Sequence, residues 1–285
     1  MFDNSSNTSQ CDSTEVCPEV SLFESENFEF EGVVPFNVSA DRPQVSVKEK
    51  LFKSIGHWQL LAAPDFILSI IRCGYKIPFI SSPPPQLFKN NGSAVNECVF
   101  VGDAILKLLR DNRIEEVFSS PDIVNPLSVS VQSSGKKRLI LDLRHINIHL
   151  YKQKFRCEDL HTIKNVFAKD FFVFSFDLKS GYHHVDIFPD HRKYLAFSWD
   201  FGKGHTRYFQ FTVLLFGLSS APFIFTKLLK PLITNWRSQG IPIAICFDDG
   251  VGAGSSLEAA KINNSLVRSD LSRCGFEINH GKSNW

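Results

Sequence analysis

The sequence lacks the segments that direct a chain into or across a membrane. No basic stretch is followed by an apolar one at its start, and no apolar run approaches the roughly 20 residues that span a bilayer. Its seven cysteines are an odd number without Cys-x-x-Cys spacing, which is typical of reduced thiols rather than of a disulfide framework. We therefore predict an intracellular protein, cytoplasmic or nuclear, that is not secreted and does not bind membranes.

The chain also has little net charge, +1, but the two signs are unevenly distributed. Residues 1–45 carry nine acidic side chains and one basic one, a net of −8, which leaves +9 for the rest. This leader is rich in Ser, Asn and Glu without periodicity, so we predict that it is disordered. A basic body suits a protein that binds a nucleic-acid backbone, although +9 also fits an ordinary charged surface.

Two adjacent carboxylates, Asp248 and Asp249, stand between an apolar run, 241–247, and a glycine-rich segment, 250–254. Neighbouring acids repel each other and resist burial, so their position at the end of an apolar strand requires compensation. Asp-Gly favours a tight hairpin turn, which would explain the pair without any ligand. A turn that binds a hard divalent cation is the alternative.

A third carboxylate, Asp177, ends another apolar run, 171–176, which we predict to be a buried strand. If the two strands pair, Asp177 lies beside the acidic turn. Three clustered carboxylates would hold two Mg²⁺ ions, with Mn²⁺ as a substitute, in the arrangement that supports phosphoryl transfer.

Five blocks of the sequence, in order, resemble the motif series of reverse transcriptases. These blocks are Lys136–Asn147, Phe176–His184, Phe216–Phe225, Phe247–Gly250 and Gly275–Ser283. The amino-acid sequences of several blocks, and of the preceding segment Gly74–Phe79, are most similar to those of retrotransposons of the tyrosine-recombinase (DIRS-type) group. The resemblance spans about residues 55–285.

The resemblance implies an RNA-directed DNA polymerase that joins nucleotides to a primed template by two-metal chemistry. Asp177, Asp248 and Asp249 match the catalytic, metal-binding carboxylates of that family. Lys282 matches a lysine that assists proton transfer to pyrophosphate, although it fits a solvated turn lysine equally well. The implied partners are an RNA or DNA template–primer duplex and a dNTP, and the oligomeric state stays open.

Three cations on the first block are implied to face the triphosphate. Arg138 matches a residue of the fingers subdomain that contacts it, with Lys136 and Lys137 as helpers on the same loop. An arginine fork binds phosphate oxygens in pairs, and a solvated hairpin cation is the alternative for Arg138. Asp142 and Arg144 are instead predicted to pair with each other inside the fingers.

Three further residues are implied to face the nucleotide. Tyr182 matches the aromatic side chain beneath the incoming sugar that excludes a 2′-hydroxyl, and Phe216 and Gly217 match the template- and nucleotide-facing start of a helix. One position departs from the family pattern, because Cys246 stands where Tyr or Phe usually packs against the primer end. We therefore expect looser primer positioning.

The residue pattern predicts an α+β fold, a polymerase palm with helices on one face of an antiparallel sheet, plus a fingers subdomain. In the first half of the chain we predict a helix over 46–72, a linker Ser81–Pro85, a helix Val95–Phe118, and strands Ile123–Val131 and Arg138–Leu143 around the turn Ser133–Gly135. In the second half we predict a strand from about Phe171, a hairpin with Tyr194–Trp199, a strand Arg207–Val213, and helices Ser220–Ser238 and Ser256–Cys274. Ser219 or Ser220 is predicted to cap the helix Ser220–Ser238, with Pro222 in its first turn.

We predict four regions along the chain. They are a disordered acidic leader 1–45, a helical region 46–120 associated with the fingers, a fingers hairpin and connection 121–170, and a palm 171–285 with a fingers insertion at about 185–215. The resemblance implies that a thumb and any RNase H domain would follow Trp285, and we expect this chain to lack them.

Two other functions remain as hypotheses. The first is a catalytically silent, truncated retroelement remnant that at most binds nucleic acid. The second is another palm polymerase, such as a group II intron maturase or a telomerase-like enzyme, which the wording of 176–182 and 216–222 disfavours.

A histidine-rich segment also suggests a zinc site, with candidate ligands His183, His184, Asp186, Asp190 and His191. We predict a strand here, whose alternation would point His183 and His184 to opposite faces, so we do not expect zinc.

Overall fold

The two segments that carry Asp177 and the pair Asp248 and Asp249 lie in one antiparallel sheet of three strands. The structure, a computed structural model, describes residues 49–154, 166–202 and 204–284, so the leader predicted to be disordered lies outside the described residues. The helices are Lys50–Lys53 (α1), Ile55–Leu60 (α2), Asp65–Cys73 (α3), Gly92–Val95 (α4), Cys98–Arg110 (α5), Arg144–Asn147 (α6), Ala221–Ser238 (α7) and Leu257–Arg273 (α8). The strands are Gln86–Leu87 (β1), Ile114–Val117 (β2), Ile123–Val124 (β3), Leu127–Val131 (β4), Lys137–Leu141 (β5), Phe172–Asp177 (β6), Ala196–Asp200 (β7), Thr206–Phe211 (β8), Ile243–Cys246 (β9) and Asp249–Gly254 (β10).

The glycines of β10 make room for aromatic side chains of β6. A Cβ atom at Gly250 would lie 2.2 Å from the Phe176 ring, and one at Gly252 would lie 2.3 Å from the Phe174 ring. Both rings are buried, and β10 is the central strand between β6 and β9. The glycine-rich segment after the acidic pair is therefore a strand that packs under two phenylalanines, and not only a turn.

Two long helices cover this sheet. Helix α7 contacts β9, and α8 contacts β10 and β6. They are joined by a buried hydrogen bond of 2.9 Å from Trp236 Nε1 to Asp270 Oδ2. Helix α8 begins after Ser256, whose side chain accepts from the Ala259 N–H at 3.1 Å.

No described helix is both long and apolar enough to span a bilayer. Both predicted helices are confirmed, as is the α+β architecture.

Helix α7 starts without the predicted side-chain cap. Ser220 occupies the N-cap position, but its side chain makes no capping hydrogen bond and is buried. Pro222 does lie in the first turn, where a missing N–H costs nothing.

The predicted hairpin around the turn 133–135 is confirmed as β4 and β5, which pair from Leu127 opposite Leu141 to Val131 opposite Lys137. Its assignment to a fingers subdomain stays a prediction. The second hairpin differs from the prediction in its partner. Strand β7 pairs with β8, and β8 also pairs with β2, so Tyr194–Trp199 does not pair with the strand that ends in Asp177. The core strand β6 pairs instead with β10, which lies later in the chain.

Two predicted helices are wrong in extent. The described part of 46–72 forms three short helices. The break between α2 and α3 lies where Ala62 adopts a left-handed φ of 50° and Pro64 follows it. The helix predicted to end at Phe118 ends at Arg110, because Asn112 is left-handed at 54° and the chain then turns into β2. The strand predicted over 123–131 is likewise divided into β3 and β4, with a proline between them at position 126.

Candidate active site

The three predicted carboxylates meet at one end of the β6–β10–β9 sheet. Asp177 lies directly opposite Asp249 in the pairing of β6 with β10. The β9–β10 hairpin turns through Phe247, with φ of 58°, and Asp248. The Leu178 N–H donates to the Asp248 carbonyl at 2.8 Å, which ties the hairpin to β6. The hairpin turn is therefore formed by Phe247 and Asp248, while Asp249 and Gly250 already belong to β10 and not to the predicted Asp-Gly turn. The pair lies beside a third carboxylate, and cation binding there stays a prediction.

Negative charge is concentrated at this end of the sheet. The pKa of Asp249 is raised, first by partial burial and then by the charges of Asp248 and Asp177. Lys282 acts in the opposite direction. Because the Asp249 side chain is largely exposed, solvent screens part of this repulsion. A bound cation would offset the remainder.

Residues 277–284 hold Asp177 from the other side of β6. Asn279 Nδ2 donates to Asp177 Oδ1 at 2.7 Å, and Lys282 Nζ lies 3.3 Å from Asp177 Oδ2. The Asp177 N–H donates to Ser283 Oγ at 3.3 Å. Sequence analysis missed Asn279, because an asparagine in a turn usually serves its own backbone. The buried carboxylate is thus oriented by one amide and one ammonium group.

The donor chemistry of the three carboxylates fits a divalent cation such as Mg²⁺, which prefers hard oxygen ligands. Among the residues that the structure describes, no three His, Cys, Asp or Glu side chains converge as ligands of one metal ion. The ammonium group of Lys282 instead lies 3.3 Å from one carboxylate oxygen of Asp177. A cation at this position would therefore compete with the ammonium group.

Tyr182 lies on a 3₁₀ turn, Gly181–His184, that follows β6 by three residues. Its ring centroid is 4.5 Å from that of Phe216 and 5.2 Å from that of Phe225, and the residue is 5% exposed. A Cβ atom at Gly181 would lie 3.0 Å from Asp248 Cβ. The absence of a side chain there lets the turn that bears Tyr182 approach the acidic hairpin closely.

The loop before α7 presents Phe216 to solvent, 63% exposed, and is held by one asparagine. Asn147 of α6 donates from Nδ2 to the Gly217 carbonyl at 2.8 Å and accepts at Oδ1 from the Ser219 N–H at 2.9 Å. Gly217 has φ of 102°, and a Cβ atom there would lie 3.0 Å from the Leu141 carbonyl oxygen. The sequence indicates Asn147 only as the last residue of the first motif block, because its two partners are about 70 residues away and leave no local signal.

The predicted triphosphate-binding cations differ in their surroundings. Lys136 and Arg138 are exposed on the hairpin. Lys137 Nζ lies 2.5 Å from Glu97 Oε2, so that lysine is engaged by an ion pair. Arg138 and Lys137 line a cavity of about 430 Å³, together with Phe216 and Arg113.

Asp142 and Arg144 form the predicted pair. Arg144 donates from Nε and Nη2 to the carboxylate of Asp142, with the shortest distance 2.6 Å. This pairing lowers the pKa of Asp142. The sequence prediction of a structural ion pair is confirmed.

The histidine-rich segment is a 3₁₀ turn and not the predicted strand, so the alternation argument against zinc does not apply. His184 is nevertheless fully engaged, because Nε2 accepts from the Glu277 N–H at 3.1 Å and Nδ1 donates to the Gly181 carbonyl at 3.1 Å. Burial lowers the pKa of His184 to about 4. Burial, followed by the charges of Arg113 and His184, lowers that of His183 to about 3. Both rings are neutral near pH 7.

Cys246, at the position where the family pattern has an aromatic residue, ends β9 directly opposite Asp249. Its side chain is exposed. The departure from the pattern therefore lies at the acidic edge of the sheet, and its effect on primer positioning stays a prediction.

The chain is similar to known proteins in sequence and in fold. The family model described as reverse transcriptase (RNA-dependent DNA polymerase) matches residues 130–285, more than half of the chain. The chain is 27% identical to a putative enzymatic polyprotein of Cassava vein mosaic virus, over 61% of this chain and 25% of the polyprotein. It is 29% identical to the retrovirus-related Pol polyprotein from transposon 412 of Drosophila melanogaster, over 51% of this chain and 12% of that protein.

A solved structure, the prototype foamy virus protease-reverse transcriptase, superimposes with a TM-score of 0.55 at 17% identity. The match covers 74% of this chain and 26% of the viral one, and at that identity it shows the fold. The chain spans about a quarter or less of the length of these relatives. On the family match, the chain belongs to the reverse transcriptase (RNA-dependent DNA polymerase) family.

Proposed function

We propose that this chain carries the fingers and palm of an RNA-directed DNA polymerase, which extends a primer by two-metal nucleotidyl transfer. The observation that carries the proposal is the register of β6 and β10, which sets Asp177 opposite Asp249 and beside Asp248. Membership of the reverse transcriptase family supports the same reaction. The template would be RNA or DNA, bound through its phosphate backbone without sequence specificity.

The carboxylates of Asp177, Asp248 and Asp249 would hold two Mg²⁺ ions, with Mn²⁺ as a substitute. When bound, such ions activate the attacking hydroxyl and offset charge on the leaving pyrophosphate. Lys282 is 66% exposed in its side chain while its ammonium group stays within 3.3 Å of Asp177. Its ammonium group would donate its own proton to the leaving pyrophosphate as a general acid and become a neutral amine.

The incoming dNTP would lie between the fingers hairpin and the turn that bears Tyr182. Arg138, exposed on β5, would bind the triphosphate with Lys136, while Lys137 would have to exchange Glu97 for phosphate. Tyr182 would exclude a 2′-hydroxyl. Phe216 and Gly217 would support the nascent base pair.

Two finer assignments belong to this proposal. Residues 121–170 and the insertion at about 185–215 would form the fingers, and the rest of 171–285 the palm; the helical region 46–120 would support the fingers. The retrotransposon from which the chain derives would be of the DIRS type. The support for this is the amino-acid sequence of the motif blocks and of Gly74–Phe79.

The decisive test is primer extension by the 285-residue chain on an RNA template with dNTPs and Mg²⁺, then Mn²⁺. Asp248→Asn is the matched control, because it keeps the size of the side chain and removes its charge. Extension by the wild type alone would support the proposal. No extension by either protein, both shown to be folded by circular dichroism, would contradict it and favour a silent remnant.

Replacing Tyr182 by alanine should admit ribonucleotides, because the ring is the proposed barrier to the 2′-hydroxyl. We expect the ratio of kcat/KM for a dNTP over the matching rNTP to fall by roughly 10- to 100-fold. Tyr182→Phe keeps the ring and should keep the ratio. An unchanged ratio in the alanine variant would remove Tyr182 from sugar selection.

A further inference from the structure

The turn that carries Tyr182 begins in a strained conformation. Ser180, the residue before Gly181–His184, has a left-handed φ of 61°. For a residue with a side chain this conformation costs about 1–2 kcal/mol, so the surrounding structure must hold it. The Ser180 side chain makes no capping hydrogen bond to the turn. Something outside the turn therefore keeps it in place.

Arg113 contacts both ends of this turn. Its Nη2 donates to Ser180 Oγ at 3.1 Å, and its Nη1 lies 2.8 Å from His183 Nδ1. Because His183 is neutral near pH 7, Nδ1 can accept that hydrogen bond. The two contacts lie on either side of Tyr182 in sequence. A planar guanidinium fixes both partners at once, which an ammonium group does less well.

Arg113 is itself held in place before β2. Its Nη2 lies 3.2 Å from Asp111 Oδ2. Its N–H donates to the Leu108 carbonyl at 2.9 Å, and its carbonyl accepts from the Thr212 N–H at 3.0 Å. The guanidinium side chain is only 16% exposed and faces the cavity between the fingers hairpin and the palm. It is therefore a fixed support rather than a mobile surface cation.

From these contacts we propose that Arg113 is a positioning residue for Tyr182, and that it sets how strictly the site rejects ribonucleotides. The Tyr182 ring packs against Phe216 and Phe225. Arg113 holds the side chains of Ser180 and His183, which lie before and after Tyr182 in the turn. Removing Arg113 releases Ser180 and lets the turn relax, which moves the ring relative to the sugar. The link to sugar selection rests on the proposed polymerase function; the positioning itself does not.

The first experiment compares Arg113→Met, which keeps length without charge or hydrogen bonds, with Arg113→Lys. Single-nucleotide extension with a dNTP and the matching rNTP would give kcat and KM separately. We expect Arg113→Met to lower the dNTP-over-rNTP ratio of kcat/KM by roughly 10-fold, and Arg113→Lys to restore part of it. Arg207→Met, which removes an ion pair with Glu116 between β2 and β8, is the control and should keep the ratio. A wild-type ratio in Arg113→Met overturns the proposal.

A second readout does not depend on activity. Amide hydrogen exchange over 181–185 reports the turn, whose His183 and Val185 N–H groups donate to Ser180 and Tyr182 carbonyls. Arg113→Met should speed exchange there by about 10-fold or more while β10 keeps its protection. If the wild type fails to extend a primer, the polymerase function fails, and this measurement still decides the positioning role. Unchanged exchange in the turn overturns it.

Discussion

Replacing Asp249 by asparagine should lower primer extension by on the order of a thousandfold and at the same time raise the melting temperature slightly. Activity is lost because asparagine cannot supply the charge that holds a divalent cation. Stability rises because the substitution removes one of three mutually repelling carboxylates, whose repulsion raises the pKa of Asp249 after the effect of burial. Since Asp249 is largely exposed, we expect a gain of about 0.5 kcal/mol or less, or roughly 1–2 °C.

The pH dependence of this gain has a defined sign. Because the pKa of Asp249 is raised in the folded state, that state binds the proton more tightly than the unfolded chain does. The destabilisation, from burial first and then from repulsion, is absent below the unfolded pKa of about 3.9 and complete above the folded pKa. In thermal denaturation without divalent cations, the melting temperature of the Asp249→Asn variant should exceed that of the wild type by more at pH 7 than at pH 4. An equal difference in melting temperature at both pH values would contradict the repulsion assigned to Asp249.

Mg²⁺ should reverse the order of the melting temperatures, so that the wild type becomes more stable than Asp249→Asn. A ligand that binds only the folded state at 100 times its Kd adds about 2.7 kcal/mol of stability. We expect that shift in the wild type and its loss in Asp249→Asn, measured by the same denaturation with and without Mg²⁺. An equal shift in both proteins would mean that Asp249 is not a ligand.

Replacing Gly275 by alanine should destabilise the fold by about 3 kcal/mol or more, or roughly 6–12 °C in melting temperature. Gly275 ends α8 in a left-handed conformation with φ of 88°. Its N–H donates to the Ser272 carbonyl and the Phe276 N–H to the Leu271 carbonyl, the two bonds of a Schellman motif. A Cβ atom there would lie 2.4 Å from the Lys50 carbonyl oxygen, so α1 would have to move.

Gly240 provides the matched control, because it ends α7 with the same motif. Its φ is 77°, its N–H donates to the Arg237 carbonyl, and a Cβ atom there would meet nothing within 4 Å. Gly240→Ala should therefore cost only the backbone strain, about 1 kcal/mol. Thermal and urea denaturation of both variants would separate strain from collision. Equal losses would mean that α1 does not pack against the end of α8 as described.

Several elements could be predicted because their signals are local. Helices α7 and α8 follow from apolar spacing and from Pro222 and Ser256 at their starts, and the β4–β5 hairpin follows from the Ser-Ser-Gly turn at 133–135. The carboxylates at the ends of two apolar strands were visible for the same reason. Errors arose where local preference was overruled, as at the Gly181–His184 turn, which was predicted to be a strand.

The sequence by itself thus determined which residues are candidates for the chemistry, because the charge and size of carboxylates, aromatic side chains and cations do not depend on the fold. Only the tertiary structure decided that Asp177 stands opposite Asp249, that Asn279 and Lys282 orient it, and that Arg113 supports the Tyr182 turn. Each of these contacts joins residues about 70 or more positions apart. Their energies depend on which surfaces the collapsed core brings together, and no local pattern encodes that.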